Sequence, residues 1–213
     1  MEKIEEVKSF LLWAFRLLLV VTGIVALWIG DIENFLFVTL TLFLTFLPSL
    51  IERQLRIEYP GELEILILFL IMSSMYLGEM HAYYYKFRWW DTLLHGVSAI
   101  IVGGIGFSLV FILNRSERVA LKLSPKFVAV FAFGFSLSVG TLWEIFEFAM
   151  DQLFGFNMQK SGLIDTMWDL ITNAIGAFLF SLVGYFHIRH GITIFNYLEK
   201  KFFRMNPDLK IKK

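Results

Sequence analysis

Eight polar side chains stand at helical spacing inside otherwise apolar stretches of this 213-residue chain: Asp91 and His95; Glu144, Glu147 and Asp151; Asp165, Asp169 and Asn173. A charged group at the centre of a bilayer costs roughly 3 kcal/mol on insertion scales, so three such sets call for a common cause. The spacings i, i+4, then i, i+3, i+7, then i, i+4, i+8 place each set on one face of a helix. Carboxylates gathered at one depth cannot all stay ionised unless a cation joins them. Imidazole with carboxylates suits Mn, Fe or Zn, and Mg where more water completes the shell. The pattern therefore predicts a divalent metal ion held by His95, Glu147 and Asp169. Asp91 and Asp165 are the candidate catalytic groups, as a further ligand or a general base. Glu144, Asp151 and Asn173 are the candidate supports around them.

Depth sorts the same residues. At about 1.5 Å per residue, His95 lies roughly 6 Å below Asp91, Asp169 roughly 6 Å below Asp165, and Glu147 about 6 Å below Asp151. On that reckoning Asp91, Asp151 and Asp165 form a mouth. His95, Glu147 and Asp169 form a middle layer, and Glu144 and Asn173 a floor.

The elements that must position these groups are membrane spans. The chain is 57% hydrophobic and 17% aromatic, with 24 Phe, and its mean hydropathy is +0.67. That is too apolar for an ordinary soluble domain. Apolar runs of about 20 residues cross the hydrocarbon. Six are predicted, near residues 10–29, 35–51, 63–80, 91–113, 127–151 and 164–187, in one all-α transmembrane domain, with a basic tail over 189–213. The first run reads as a retained helix, because no small-residue cleavage site follows it. Pro60-Gly61 and Ser124-Pro125 mark seams where helices stop or start.

Lys and Arg set the orientation. With six spans, one side carries Lys3, Lys8, Arg53, Arg56, Arg115, Arg118, Lys122, Lys126, Arg189, Lys200, Lys201, Arg204, Lys210, Lys212 and Lys213. The other carries Lys86, Arg88 and Lys160. Arg16 lies within the first span. The split places both termini in the cytoplasm, the polar sets in the opposite half of a cell (inner or plasma) membrane, and the tail against anionic headgroups or free in solvent. Between the third and fourth spans, His81 to Trp90 is rich in Tyr and Trp and carries Lys86 and Arg88. It reads as an interfacial aromatic belt, or as a rim for a lipid headgroup.

Several chemistries are excluded. There is no Cys, hence no disulfide and no thiolate ligand. Zero net charge leaves no basic field for nucleic acid. No Gly-x-Ser-x-Gly elbow, phosphate-binding Gly loop or dinucleotide fingerprint occurs.

The stretches Trp90-Asp91-Thr-Leu-Leu-His95-Gly96, Trp143-Glu144-Ile-Phe-Glu147 and Asp165-Thr-Met-Trp168-Asp169-Leu-Ile-Thr-Asn173-Ala-Ile-Gly176 resemble the YjdF-type family of uncharacterised inner-membrane proteins. More distantly, spans four to six are similar to VanZ-like proteins. The resemblance implies a helical membrane protein and supplies no reaction. Three functional expectations follow from the residues. One is a metal-dependent enzyme on a lipid-linked or amphiphilic substrate, with membrane lipids as its partners. Another is a cation- or proton-coupled transporter, and the last is a structural protein with a buried polar network.

Overall fold

The computed structural model describes residues 2–115, 123–191 and 195–207. Arg118, Lys122, Lys210, Lys212 and Lys213, which the sequence assigns to the basic side, lie outside the described residues, as do 192–194 and 208–213 of the predicted tail. All described elements are helical: α1 (Glu2–Ile29), α2 (Ile32–Leu44), α3 (Leu47–Leu55), α4 (Gly61–Ile71) continued by a π-helix (Met72–Met80), α5 (Tyr83–Lys86), α6 (Trp90–Arg115), α7 (Pro125–Phe154), α8 (Leu163–His190) and α9 (Asn196–Met205). Six stretches are long and apolar enough to cross a membrane: Lys3–Ile29, Ile32–Leu55, Gly61–Met80, Trp90–Phe111, Pro125–Phe154 and Leu163–His190. The chain is an all-α polytopic membrane protein.

Local chemistry explains the breaks. Asp31 caps α2 by accepting from the Asn34 N–H at 3.1 Å, satisfying a free first-turn donor. The second span is interrupted after Leu44 and resumes at Leu47. Pro48 sits in the first turn of α3, where its missing N–H is tolerated. Ser124 caps α7 through the Phe127 N–H, and Gly155 ends it in the left-handed region at φ 70°. Gly191 ends α8 the same way at φ 66°.

The sequence reads as one domain; the structure groups the described residues into two compact units. One comprises Met1–Trp90 with Lys201–Asn206, the other Asp91–Lys200 with Pro207–Lys213. The first unit packs Phe15, Leu19, Val38 and Leu68 together. It also seats the segment Lys201–Asn206. Asn206 accepts from the Glu58 N–H at 2.7 Å and donates to the Glu58 carbonyl at 2.8 Å. Lys201 lies 2.6 Å from Glu62, and Phe202 is buried. A tail free in solvent is therefore wrong for this segment, whose described contacts are with protein. Burial of Phe202 and the Lys201–Glu62 ion pair favour that contact over water.

In the second unit, small residues let α6, α7 and α8 approach closely. A Cβ on Gly176 would stand 2.7 Å from the Gly96 carbonyl oxygen, and one on Gly140 2.6 Å from Asn173 Nδ2. Ser136 on α7 donates to the Ala99 carbonyl of α6 at 2.8 Å. Away from the polar sets, the unit closes around Phe107, Val110, Phe111, Val128 and Ala132.

Candidate metal centre

His95, one turn into α6, is the hub. Its ring is buried, and its carbonyl accepts from Ser98 at 2.9 Å. Nε2 faces Asp91 Oδ1 at 3.4 Å and Asp169 Oδ1 at 3.8 Å. Nδ1 faces Asn173 Nδ2 at 3.4 Å and Glu144 Oε1 at 3.8 Å. Thus α6 supplies Asp91 and His95, α7 supplies Glu144, and α8 supplies Asp169 and Asn173. The small contacts Gly96–Gly176 and Gly140–Asn173 hold these positions at short range.

Could this group hold an ion? Two atoms each about 2.1 Å from one cation stand at most about 4.2 Å apart. The separations from Nε2 fall inside that limit. One ligand atom each from Asp91, His95 and Asp169 lies within 4.8 Å of the others. Shifts of a few tenths of an ångström would therefore close the set on an ion. The polar accounting points the same way. Among the described residues, Glu144 Oε1, Glu144 Oε2 and Asp169 Oδ2 are buried with no hydrogen-bond partner. Buried polar groups are normally satisfied, and buried carboxylates carry an especially large penalty when they are not. One imidazole and two or three carboxylates is a mixed nitrogen and oxygen donor set, fitting Mn, Fe or Zn better than an all-oxygen Mg site.

The tautomer matters. With Asn173 Nδ2 directed at Nδ1, that nitrogen acts as acceptor and Nε2 carries the proton toward the two aspartates. Ligation through Nε2 needs the reverse, with Nδ1–H donated to Glu144 or to the oxygen of a turned Asn173 amide. Were His95 to ligate through Nε2, Glu144 would stand behind it as the carboxylate that fixes the ring orientation.

The remaining predicted residues fall elsewhere. Glu147 is buried, but its Oε1 accepts from the Trp143 indole of its own helix at 2.9 Å, and it is not in the ligand trio. Asp91, assigned by depth to the mouth, is the acid that stands with His95 and Asp169. Rise per residue locates Cα atoms, whereas an i, i+4 carboxylate reaches a full turn along the helix to its neighbour. Asp151 accepts from the Met158 and Gln159 N–H groups at 2.6 and 3.0 Å, clasping the loop after α7. Asp165 is half-buried in the first turn of α8, outside the trio. Trp168, one position before Asp169, is 62% exposed and lies on the outer face of α8. Gln159 was not foreseen; it donates to Thr166 at 2.8 Å, tying the loop to α8. The i, i+4 spacing of Trp143 and Glu147 was the available signal for their bond. His187, near the C-terminal end of α8, is buried against Phe107, Phe111 and Phe195.

Residues 10–190 match the family model described as Predicted membrane protein (DUF2238). A protein of Thermotoga maritima described as an uncharacterized protein is 28% identical over 141 residues, covering 66% of this chain and 70% of that protein. No solved structure matches the chain. The chain belongs to the DUF2238 family of membrane proteins.

Proposed function

We propose that this member of the family is a membrane-embedded, metal-dependent enzyme acting on a lipid-linked or amphiphilic substrate. The reading places its centre in the half of the cell membrane facing away from the cytoplasm, with both termini cytoplasmic. Its likeness to the YjdF-type proteins, carried by residues 90 to 176, belongs to the same reading.

The observation that carries it is the set of three buried carboxylate oxygens without a hydrogen-bond partner, on acids that face one imidazole. His95 would hold a divalent ion through Nε2, and Asp91 and Asp169 through Oδ1. When bound, such an ion polarises a carbonyl or phosphoryl oxygen, or makes water a better nucleophile. Glu144 keeps the His95 ring in the ligating tautomer. Asp165 stands one turn from Asp169 and is half-exposed, placed to take a proton from an entering group. A lipid-linked substrate suits a site inside helices whose outer faces are rich in exposed Leu, Ile and Phe.

Two observations favour this over the alternatives. A purely structural network would satisfy its own acids, and this one leaves three oxygens over. A transporter needs a polar route, and along the same helices the second unit closes on Phe107, Phe111 and Val128.

The test is elemental analysis of the full chain purified in mild detergent, beside His95→Ala. We expect close to one Mn, Fe or Zn per wild-type chain and less than about a tenth in the variant, since even supporting residues cost 10–100-fold in affinity. A wild-type sample that retains no metal, and gains no thermal stability from any of the three, would sink the proposal.

A further inference from the structure

Arg16 lies in the first unit, within the span Lys3–Ile29, and the proposed centre makes no use of it. We infer that Arg16 binds the phosphate of an anionic phospholipid in the leaflet nearest the N-terminus.

The guanidinium donates from Nε to Thr45 Oγ1 at 3.1 Å and from Nη2 to the Thr45 carbonyl at 2.9 Å. Thr45 lies at the interruption between α2 and α3, so the arginine covers backbone that the broken helix leaves free. These bonds engage two of the five N–H groups of a guanidinium. No carboxylate is paired with Arg16 among the described residues. Neutral donors would serve Thr45 equally well, so the bonds do not account for a full positive charge inside an apolar span. Intramembrane charges of this kind usually mark a ligand or a counter-ion.

The surroundings select the ligand. Arg16 sits six positions past Phe10, about 9 Å into the apolar run, within snorkelling distance of the headgroups. The Phe46 ring centroid lies 3.8 Å from the guanidinium carbon, and the N–H groups that Thr45 does not engage remain for an oxyanion. Trp13, 5.9 Å away and 70% exposed, presents an indole of the kind that anchors at headgroup level. A diester phosphate with acyl chains beside Trp13 and Phe46 meets both demands.

The test is thermal unfolding of the full chain in dodecyl maltoside, with dioleoyl phosphatidylglycerol, dioleoyl phosphatidylcholine or inorganic phosphate added. Phosphatidylglycerol is expected to raise the wild-type Tm by about 3 °C, phosphatidylcholine by less than about 1 °C, and Arg16→Gln to abolish the rise. Should Arg16→Gln fail to fold, Arg16→Lys keeps the charge, gives up the fork and is expected to halve the rise. An equal rise in either variant overturns the site. No rise in the wild type, or an equal one from phosphatidylcholine, overturns the anionic ligand. An equal rise from inorganic phosphate overturns the lipid as its source.

Discussion

In the first unit, Lys8 lies 2.7 Å from both Glu5 and Glu64, and Lys201 lies 2.6 Å from Glu62. In the second, Asp91, Asp169 and Glu144 stand 3.4 to 3.8 Å from a single imidazole. The first arrangement gives every acid an ammonium at full contact, with Glu5 and Glu64 sharing Lys8, and leaves one Glu5 oxygen over. The second crowds three acids around one weak base at longer range and leaves three oxygens over. Paired charges of the first kind are self-contained and hold elements together. In the second kind the acids outnumber the base, and oxygens are left without hydrogen-bond partners. Both occur in one chain, so the mismatch in the second unit is not a general consequence of burying acids in this protein.

That contrast can be broken at its strong end. Asp91→Asn with Asp169→Asn removes two of the three proposed anchors and should lower metal affinity at least 100-fold. Lys201→Met with Glu62→Leu should leave metal content within about twofold, because it removes a balanced pair. Elemental analysis of both double variants reads the difference; equal losses would erase the distinction between the units.

Lys201→Met alone leaves Glu62 without its ammonium. Breaking a buried pair costs about 3–5 kcal/mol. Glu62 keeps some solvent contact, with 27% of its side chain exposed, so about 2 kcal/mol is expected, or roughly 4–8 °C in Tm. Adding Glu62→Leu should restore most of it, as a double-mutant cycle would show.

Gly176→Ala sharpens the packing side. Its Cβ would meet the Gly96 carbonyl oxygen at 2.7 Å, and backbone cannot step aside as a side chain can. A loss of about 1–2 kcal/mol is expected. Gly134, with nothing within 4 Å, should accept Ala within about 0.5 kcal/mol. Denaturant titrations of the pair would show whether close helix approach is what holds the polar sets together.

The smallest effect belongs to Glu144→Gln. The amide can still accept from Nδ1–H, so metal affinity should fall only about tenfold, measured by competition with a chelator. A loss as large as that of the Asp91/Asp169 double variant would move Glu144 into the ligand set.

Much of this was legible in the residues. Hydropathy alone separated six apolar stretches, and the periodicity of Asp91/His95, Glu144/Glu147/Asp151 and Asp165/Asp169/Asn173 put each set on one face. Hydropathy reports burial in lipid and period reports helix face, and both are local properties. The interruption at Thr45 and Phe46 was half visible: Pro48 marks it, but the sequence reading ran the span unbroken over 35–51, whereas a proline in a first turn is where a new helix starts. The π-helical stretch Met72–Met80 has no signature that we can name, and Ser73 keeps a buried hydroxyl there without a partner.

Which acids meet was not legible. Glu147 and Asp91 are both spaced to join His95, and counting rise per residue favours Glu147. The Trp143 indole draws Glu147 along its own helix, and Asp91 reaches one turn along α6 to the imidazole. A choice made by competing partners from three helices cannot be computed from any one of them. Nor could the tail reveal that Lys201 answers Glu62 across 139 positions.

Taken alone, the amino-acid order determined that this chain crosses a membrane as helices and that its intramembrane acids and imidazole lie on three faces, because those are consequences of hydropathy and of 3.6 residues per turn. Tertiary structure decided which of those groups share a centre, which merely clasp a loop, and which charges already have partners. Those outcomes depend on distances between segments far apart in the chain, set by where glycines let backbones touch.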